Sequence, residues 1–194
     1  MGDTLPIPDG TDEWAGPPHV VLDKIEGAPR CAALLDIWKV AREGGRPIAA
    51  RAALDPIVLA KAGLLPFVWI LERHPSNSYF YRLIGEGVRR NFNMAMRGKH
   101  LHEIFDEDTT ALVASRCDRI LADREVMFST GRVFRDDEVI YSARRLMLPL
   151  SDEDGVPRYL IGTVDQEDMT DDRERRGNPR FELDFVAFVG VDSI

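Results

Sequence analysis

The residues of this 194-residue chain that are best suited to chemistry include two histidines, His100 and His102, with Glu103 and Asp106 close behind. Imidazole and carboxylate groups bind divalent metals, and a histidine can also hold haem iron. On a helix, however, residues i and i+2 point about 200° apart, so the two imidazoles would not converge on one ion. We therefore expect no metal site, whereas haem ligation by one of these histidines stays open as an alternative.

Three arginines on predicted strands, Arg82, Arg144 and Arg145, are candidate ligand contacts. Consecutive residues of a strand point to opposite faces, so Arg144 and Arg145 must face different sides of the sheet. A buried guanidinium requires an acidic partner or an anionic ligand. An arginine that points inward would therefore indicate a carboxylate or phosphate ligand.

Flexible and aromatic apolar residues are concentrated where the predicted helices cover the sheet. Ordinary core packing explains such a concentration, but methionine also suits a wall with variable occupants, so the same residues could line a small-molecule pocket. The candidate pocket residues are Phe92, Met94, Met96, Leu101, Ile104, Phe105, Val113, Cys117 and Ile120, with Arg82, Arg144 and Arg145 as candidate polar contacts.

Helices are predicted at several places. Apolar spacing over Leu34–Ala41 predicts a leading helix with Trp38 in the core, and Asp55, Pro56 and Gly63 mark the ends of a short second helix. Further helices are predicted over 88–98 and 109–124, with a short turn over 101–105. The apolar face of the 109–124 helix consists of Val113, Cys117, Ile120 and Leu121, with Arg116 and Arg119 on the opposite side.

Five strands are predicted, at Phe67–Arg73, Tyr79–Gly85, Val126–Phe134, Val139–Leu150 and Pro157–Val164. The order of strands and helices predicts an α+β fold: a five-stranded antiparallel sheet with helices over one face and a leading N-terminal helix. Because a single short helix shelters only part of the other face, a homodimer is expected, associating through the helix at Ala32–Ala41 or through that face.

The chain length fits one domain. Residues 1–30 are expected to form a flexible tail, 31–170 the domain, and 171–194 a charged linker followed by an apolar segment. The alternating residues of that segment, Phe181–Val191, can add a strand to an open sheet edge, pack on the domain or cover a second subunit.

Composition excludes several classes of function. The net charge of −8 argues against nucleic acid and anionic membranes as partners. No apolar run is long enough to span a bilayer, and two cysteines, Cys31 and Cys117, are too few for a disulfide framework, so a cytoplasmic location is expected.

Several short motifs occur in a characteristic order between Leu34 and Asp165: Leu35-Asp36-Ile37-Trp38, Phe80 to Gly85 (FYRLIG), Gly98 to Phe105 (GKHLHEIF), Leu148-Pro149-Leu150 before an acidic turn, and Leu160-Ile161-Gly162. Together with the element order they resemble a PAS-like bacterial family of stand-alone domain proteins common in alphaproteobacteria. Asp168-Met169-Thr170 is similar to the junction at which such domains pass into a signalling helix, although Gly177-Asn178-Pro179 would break that helix early.

The resemblance implies a cytoplasmic sensory or regulatory module, not an enzyme, that binds a small molecule, a signalling protein or both and signals by altered association. It does not identify a cofactor. A flavin adduct at Cys117 is disfavoured, because the surrounding residues do not match the photoreceptors that use one. Two alternatives remain: an isomerase- or dehydratase-like enzyme with His100 or Glu103 as acid or base, and a structural dimerisation adaptor with a filled core.

Overall fold

An eight-stranded sheet with helices on both faces forms the body of the protein in a computed structural model, which describes residues 13–42, 45–90, 95–135, 138–168 and 180–194. The strands are β1 (Glu13–Trp14), β2 (Ala49–Ala50), β3 (Val68–Arg73), β4 (Tyr79–Ile84), β5 (Glu125–Arg135), β6 (Glu138–Ser151), β7 (Pro157–Asp168) and β8 (Arg180–Gly190). The helices are α1 (Pro18–Glu26), α2 (Pro29–Ala41), α3 (Pro56–Lys61), α4 (Glu86–Arg89) and α5 (Glu107–Ala122), with short 3₁₀ turns that include Leu101–Glu103.

The antiparallel centre of the sheet has the order β5-β6-β7-β3-β4, and these are the five strands that the sequence predicts. Three strands extend it beyond that prediction. β8 pairs antiparallel with the outer side of β5, β1 pairs parallel with β8, and β2 pairs parallel with β6. The α+β prediction with an antiparallel centre is confirmed, and the sheet is wider than five strands.

Side chains that alternate along each strand enter two different cores. Val126 and Phe128 of β5 belong to the core under α1, α2 and α3, whereas Met127 between them belongs to the core under α5. Leu146 and Met147 of β6 divide in the same way. Helices therefore cover both faces: α5 lies on one, and the predicted leading helix, α2, lies on the other together with α1 and α3.

Trp38 anchors α2 on the sheet. Its side chain is 0% exposed, and the indole Nε1 donates a hydrogen bond of 2.8 Å to the carbonyl of Pro149 in β6. At the other end of α2, the carboxylate of Asp165 in β7 accepts hydrogen bonds from the backbone N–H groups of Arg30 and Cys31, at 2.8 and 2.9 Å. A strand residue thus supplies the helix cap that Ala28 cannot provide. The predicted burial of Trp38 is confirmed.

One expectation about the ends of the chain, the flexible N-terminal tail, is corrected. The flexible tail expected over 1–30 is wrong for residues 18–26, which form α1 with Val21 and Ile25 buried in the core, while residues 1–12 lie outside the described residues. At the other end, the apolar segment adds β8 to the edge of the sheet, which is one of its predicted roles.

Coverage of both faces removes the argument on which the homodimer prediction depends. The face expected to need a second subunit is filled by Leu34, Leu35 and Trp38 of α2 and by residues of α1 and α3 from the same chain. The homodimer itself stays a prediction.

The helix predicted over 88–98 is shorter than expected. α4 ends at Arg89, and Gly98 takes a left-handed conformation with φ of 82°. The candidates Phe92 and Met94 lie outside the described residues, as do Met169 and Thr170 of the predicted junction. No helix in the described parts of the chain is both long and apolar enough to cross a bilayer.

Candidate functional site

A cavity lies between α5 and the sheet. The space open to the centre of a water-sized sphere is about 150 Å³, which is the scale of an apolar cavity that admits benzene. The lining residues are Trp69, Leu71, Tyr81, Val88, Phe105, Val113, Arg116, Met127, Ser129, Tyr141, Arg145, Met147, Val164 and Leu183. The wall is mainly apolar. Among the described residues that line it, Arg116 and Arg145 are the charged ones.

The sheet forms one side of the cavity, and Gly162 of β7 makes room for Trp69 of β3. The two residues pair directly across the strands, and a Cβ at position 162 would lie 2.3 Å from the indole ring. No side chain fits there without displacing the indole. The glycine of the Leu160-Ile161-Gly162 motif therefore positions one wall of the cavity.

Arg145 reaches the cavity from β6, where it pairs with Ser129 of β5, another wall residue. Burial lowers the pKa of the Arg145 guanidinium. Arg144 lies on the opposite face, where its Nη1 donates a hydrogen bond of 2.5 Å to the carbonyl of Gly27. The two adjacent arginines thus face opposite sides of the sheet, as strand alternation requires, and Arg145 is the one that lines the cavity.

Arg82, the third candidate arginine, lies away from the cavity. Its guanidinium donates to the carboxylate of Glu72 at 2.6 Å, and Arg158 donates to the other oxygen of the same carboxylate at 2.9 Å. Glu72 is itself buried, so the two arginines compensate a buried acid. Arg82 and Arg144 are therefore structural residues and not cavity contacts.

The helical spacing predicted Arg116 on the face of α5 opposite the apolar residues, but Arg116 lines the cavity. It follows Val113 by three residues, so one turn of α5 brings both side chains to the wall. The Nε of Arg116 is buried and has no hydrogen-bond partner within the described residues. Burial lowers the pKa of this guanidinium, while the nearby carboxylate of Glu13 opposes that shift. Helical periodicity missed Arg116 because a long arginine side chain covers more than one face of its helix.

Of the predicted pocket residues that the structure describes, Phe105, Val113 and Arg145 line the cavity. The others lie in the same core without forming the described wall: Met96, Leu101, Ile104, Cys117 and Ile120. The missed residues come mainly from strands, among them Trp69, Tyr81, Met127, Tyr141, Met147 and Val164. Strand alternation was the available signal for them, since every second residue of β5, β6 and β7 faces α5.

Three histidines, His74, His100 and His102, cluster outside the cavity. The rings of His100 and His102 stack with centroids 5.4 Å apart, and the ring of His74 lies 5.5 Å from that of His100. His100 and His102 do not point apart as they would on a helix, because His100 has an extended conformation just before the 3₁₀ turn. Across the described residues, no group of three or more histidine, cysteine, aspartate or glutamate side chains is placed to hold a metal ion.

Two alternatives from the sequence can be compared with the structure. His100 and Glu103, the proposed acid or base of an enzyme, are not among the described residues that line the cavity. The Glu103 carboxylate accepts a hydrogen bond of 2.7 Å from the His100 backbone N–H. A purely structural adaptor requires a filled core, and the cavity differs from that expectation. Cys117 is fully buried behind the wall, and burial raises the pKa of its thiol, so an adduct at this position is disfavoured.

Comparison with known proteins finds one family. Residues 28–165, more than two thirds of the chain, match the model of a family described as PAS domain. No curated protein matches the chain. The matched range contains α2 to α5 and the antiparallel centre of the sheet, whereas β1, α1 and β8 lie outside it.

Proposed function

Because this chain belongs to the PAS domain family, we propose that it is a cytoplasmic sensory or regulatory module that binds a small molecule in the cavity between α5 and the sheet. PAS domains are typically sensory. The observation that carries the proposal is a mainly apolar cavity with a few polar groups, Ser129, Tyr141 and two arginines, which is the usual composition of a small-molecule site.

The output that we propose is a change in association with a protein partner or a second copy of the chain. Val40 of α2 and Ile57 of α3 are 63% and 62% exposed, and they offer apolar contacts on two helices that pack against each other. A ligand changes association only if it binds the associated and free states with different affinity. The predicted homodimer through α2 is the simplest associated state.

Binding is tested by filling the cavity. Val164 lines it from β7, so Val164→Phe should remove most of the open space, while Val156→Phe, in an exposed turn, is the matched control. Native mass spectrometry of the freshly purified protein and calorimetric titration with benzyl alcohol, an uncharged probe of suitable size, measure occupancy. We expect binding in the wild type and in Val156→Phe, and its loss in Val164→Phe with an unchanged near-ultraviolet circular dichroism spectrum. Equal binding in all three proteins, or none in the wild type, contradicts the proposal.

Association is tested separately by light scattering at micromolar concentration, with and without the probe. A mass that changes with occupancy supports the proposed output. The mass of one chain under both conditions contradicts the homodimer and leaves a different protein as the partner.

A further inference from the structure

A polar cleft lies at one end of the sheet, apart from the cavity under α5. The 3₁₀ turn at Arg51–Ala53, which follows β2, borders it on one side, and the turn between β6 and β7 borders it on the other. The cleft has a volume of about 230 Å³. None of the described residues that line it also lines the cavity, so the two spaces are separate candidate sites.

Charged groups of both signs line this cleft, and they are Arg51, Arg158, Asp152, Glu153 and Asp154. The arginines form no ion pair with these acids within the described residues. Arg158 instead donates a hydrogen bond of 2.9 Å to Glu72. The guanidinium of Arg51 lies 5.1 Å from the centre of the Tyr159 ring and has no carboxylate partner in the described part of the chain. Opposite charges thus border one space without neutralising each other directly.

The acidic side of the cleft is held in place by its own turn. One carboxylate oxygen of Asp152 accepts hydrogen bonds from the backbone N–H groups of Asp154 and Val156, at 3.1 and 2.9 Å. Asp152 therefore shapes the turn. The carboxylates of Glu153 and Asp154 form no ion pair among the described residues, so their negative charge is available to a cation in the cleft.

Ser151, the last residue of β6, gives an independent indication of a ligand. It lines the cleft and is 1% exposed, and its Oγ is buried with no hydrogen-bond partner within the described residues. The Nε of Arg158 is buried and lacks a partner in the same way. Buried polar atoms normally have a partner. Two donors of one cleft therefore lack an acceptor, and an anionic oxygen of a bound molecule would supply it.

We propose that the cleft binds a small α-amino acid as a zwitterion. Its carboxylate accepts hydrogen bonds from Ser151 and from the two arginines, and its ammonium group pairs with Glu153 and Asp154. A simple anion would be repelled by the acidic turn, and a simple cation by the arginines. A metal ion does not fit either, because no group of three or more histidine, cysteine, aspartate or glutamate side chains in the described residues is placed to hold one.

The test uses three probes with the same small body in calorimetric titrations of the full chain. L-Alanine carries both charged groups, propionate lacks the ammonium group, and ethylamine lacks the carboxylate. L-Alanine should bind about tenfold or more tightly than either analogue, because each analogue loses a set of charge-assisted hydrogen bonds. Propionate or ethylamine that binds as tightly as L-alanine overturns the zwitterion, and so does a failure of L-alanine to bind.

Variants locate the binding of L-alanine. Arg51→Met and Glu153→Gln should each lower the affinity about tenfold or more, since each removes one charged partner. Arg90→Met and Glu107→Gln are the matched controls, because they remove exposed charges of α4 and α5 outside the cleft and should leave the affinity unchanged.

Ser151→Ala separates ligand binding from a structural role. Removal of a buried hydroxyl that has no partner should leave the free energy of unfolding unchanged or raise it, while the affinity for L-alanine falls. Unchanged affinity in Ser151→Ala and Arg51→Met would show that L-alanine binds elsewhere and would overturn the proposal.

The outcomes are also distinct from those of the proposed function. Val164→Phe fills the cavity and should leave the affinity for L-alanine unchanged, because Val164 does not line the cleft. Loss of L-alanine binding in this variant would overturn the separate site. Absence of L-alanine binding in a wild type that binds benzyl alcohol overturns the cleft and leaves the sensory cavity intact.

Discussion

The two faces of the central sheet differ in how completely they are filled, although alternating residues of the same strands form them. Toward α1 to α3, Phe128 and Leu146 are 0% exposed and belong to a continuous core. Toward α5, their neighbours Met127 and Met147 keep 7% exposure and border the cavity. The comparison indicates that the residues bordering the cavity pack less completely than their neighbours on the opposite face. Because the backbone is shared, a shift at the cavity reaches the solid face directly.

Alanine substitutions of Trp38 and Trp69 should show the largest difference in the free energy of unfolding between the two faces. Trp38→Ala on the solid face removes a buried indole and its hydrogen bond to Pro149, and should lower the free energy of unfolding by about 3 to 5 kcal/mol. Trp69→Ala should cost less, because one side of that indole borders the cavity. Urea denaturation followed by far-ultraviolet circular dichroism measures both. Equal losses would contradict the difference between the faces.

Leu146 and Met147, which are adjacent on β6, allow a second comparison of the two faces, with a smaller expected effect on stability. Leu146→Ala leaves a hole in a filled core and should cost about 2 to 5 kcal/mol, whereas Met147→Ala enlarges an existing space and should cost less than about 2 kcal/mol. Both variants lie on one strand, so backbone effects are matched. Thermal and urea unfolding give the values, and the opposite order would show that the cavity face supplies the larger share of stability.

The reactivity of the two cysteines tests the same difference between the two faces in the wild-type protein. Cys31 lies in the core on the solid face and Cys117 in the core near the cavity, and burial raises the pKa of both thiols above the usual range. Since the thiolate is the reactive form, both should resist iodoacetamide at pH 8.

We expect Cys117 to react faster than Cys31 in the ligand-free protein and a bound probe to reduce the difference, as measured by mass spectrometry of timed samples. A faster Cys31 would contradict the comparison. The same pKa shifts predict that stability is complete below about pH 9 and falls above it, where the thiols of the unfolded chain ionise and those of the folded chain stay neutral.

Elements whose boundaries depend on nearby residues could be predicted from the sequence. Asp55 accepts a hydrogen bond of 2.7 Å from the N–H of Ile57, with Pro56 as the first residue of α3, as the local pattern indicates. The hairpin of β3 and β4 is confirmed as well, with Asn77 at its turn in a left-handed conformation. Such signals act within one turn, so they can be recognised without knowledge of the rest of the fold.

Features that depend on distant partners could not be predicted in this way. α1 is stabilised by burial of Val21 and Ile25 against strands that follow more than a hundred residues later, and α2 is capped by Asp165 of β7. The cavity is also a long-range property, because the gap between α5 and the sheet is set by the packing of whole layers. The sequence therefore predicted Arg145 only as one of three candidate arginines, and it did not predict Arg116 or Leu183 at the cavity.

Leu183 is part of β8, which begins fifteen residues beyond the end of the family match at residue 165. A fragment trimmed to residues 28–165 would lack one cavity wall and would expose the hydrogen-bonding edge of β5, a surface that promotes aggregation. Conversely, exchange of β8 between relatives would alter the shape of the cavity while the matched core stayed the same. The shape of the cavity therefore depends in part on a segment that lies beyond the family match.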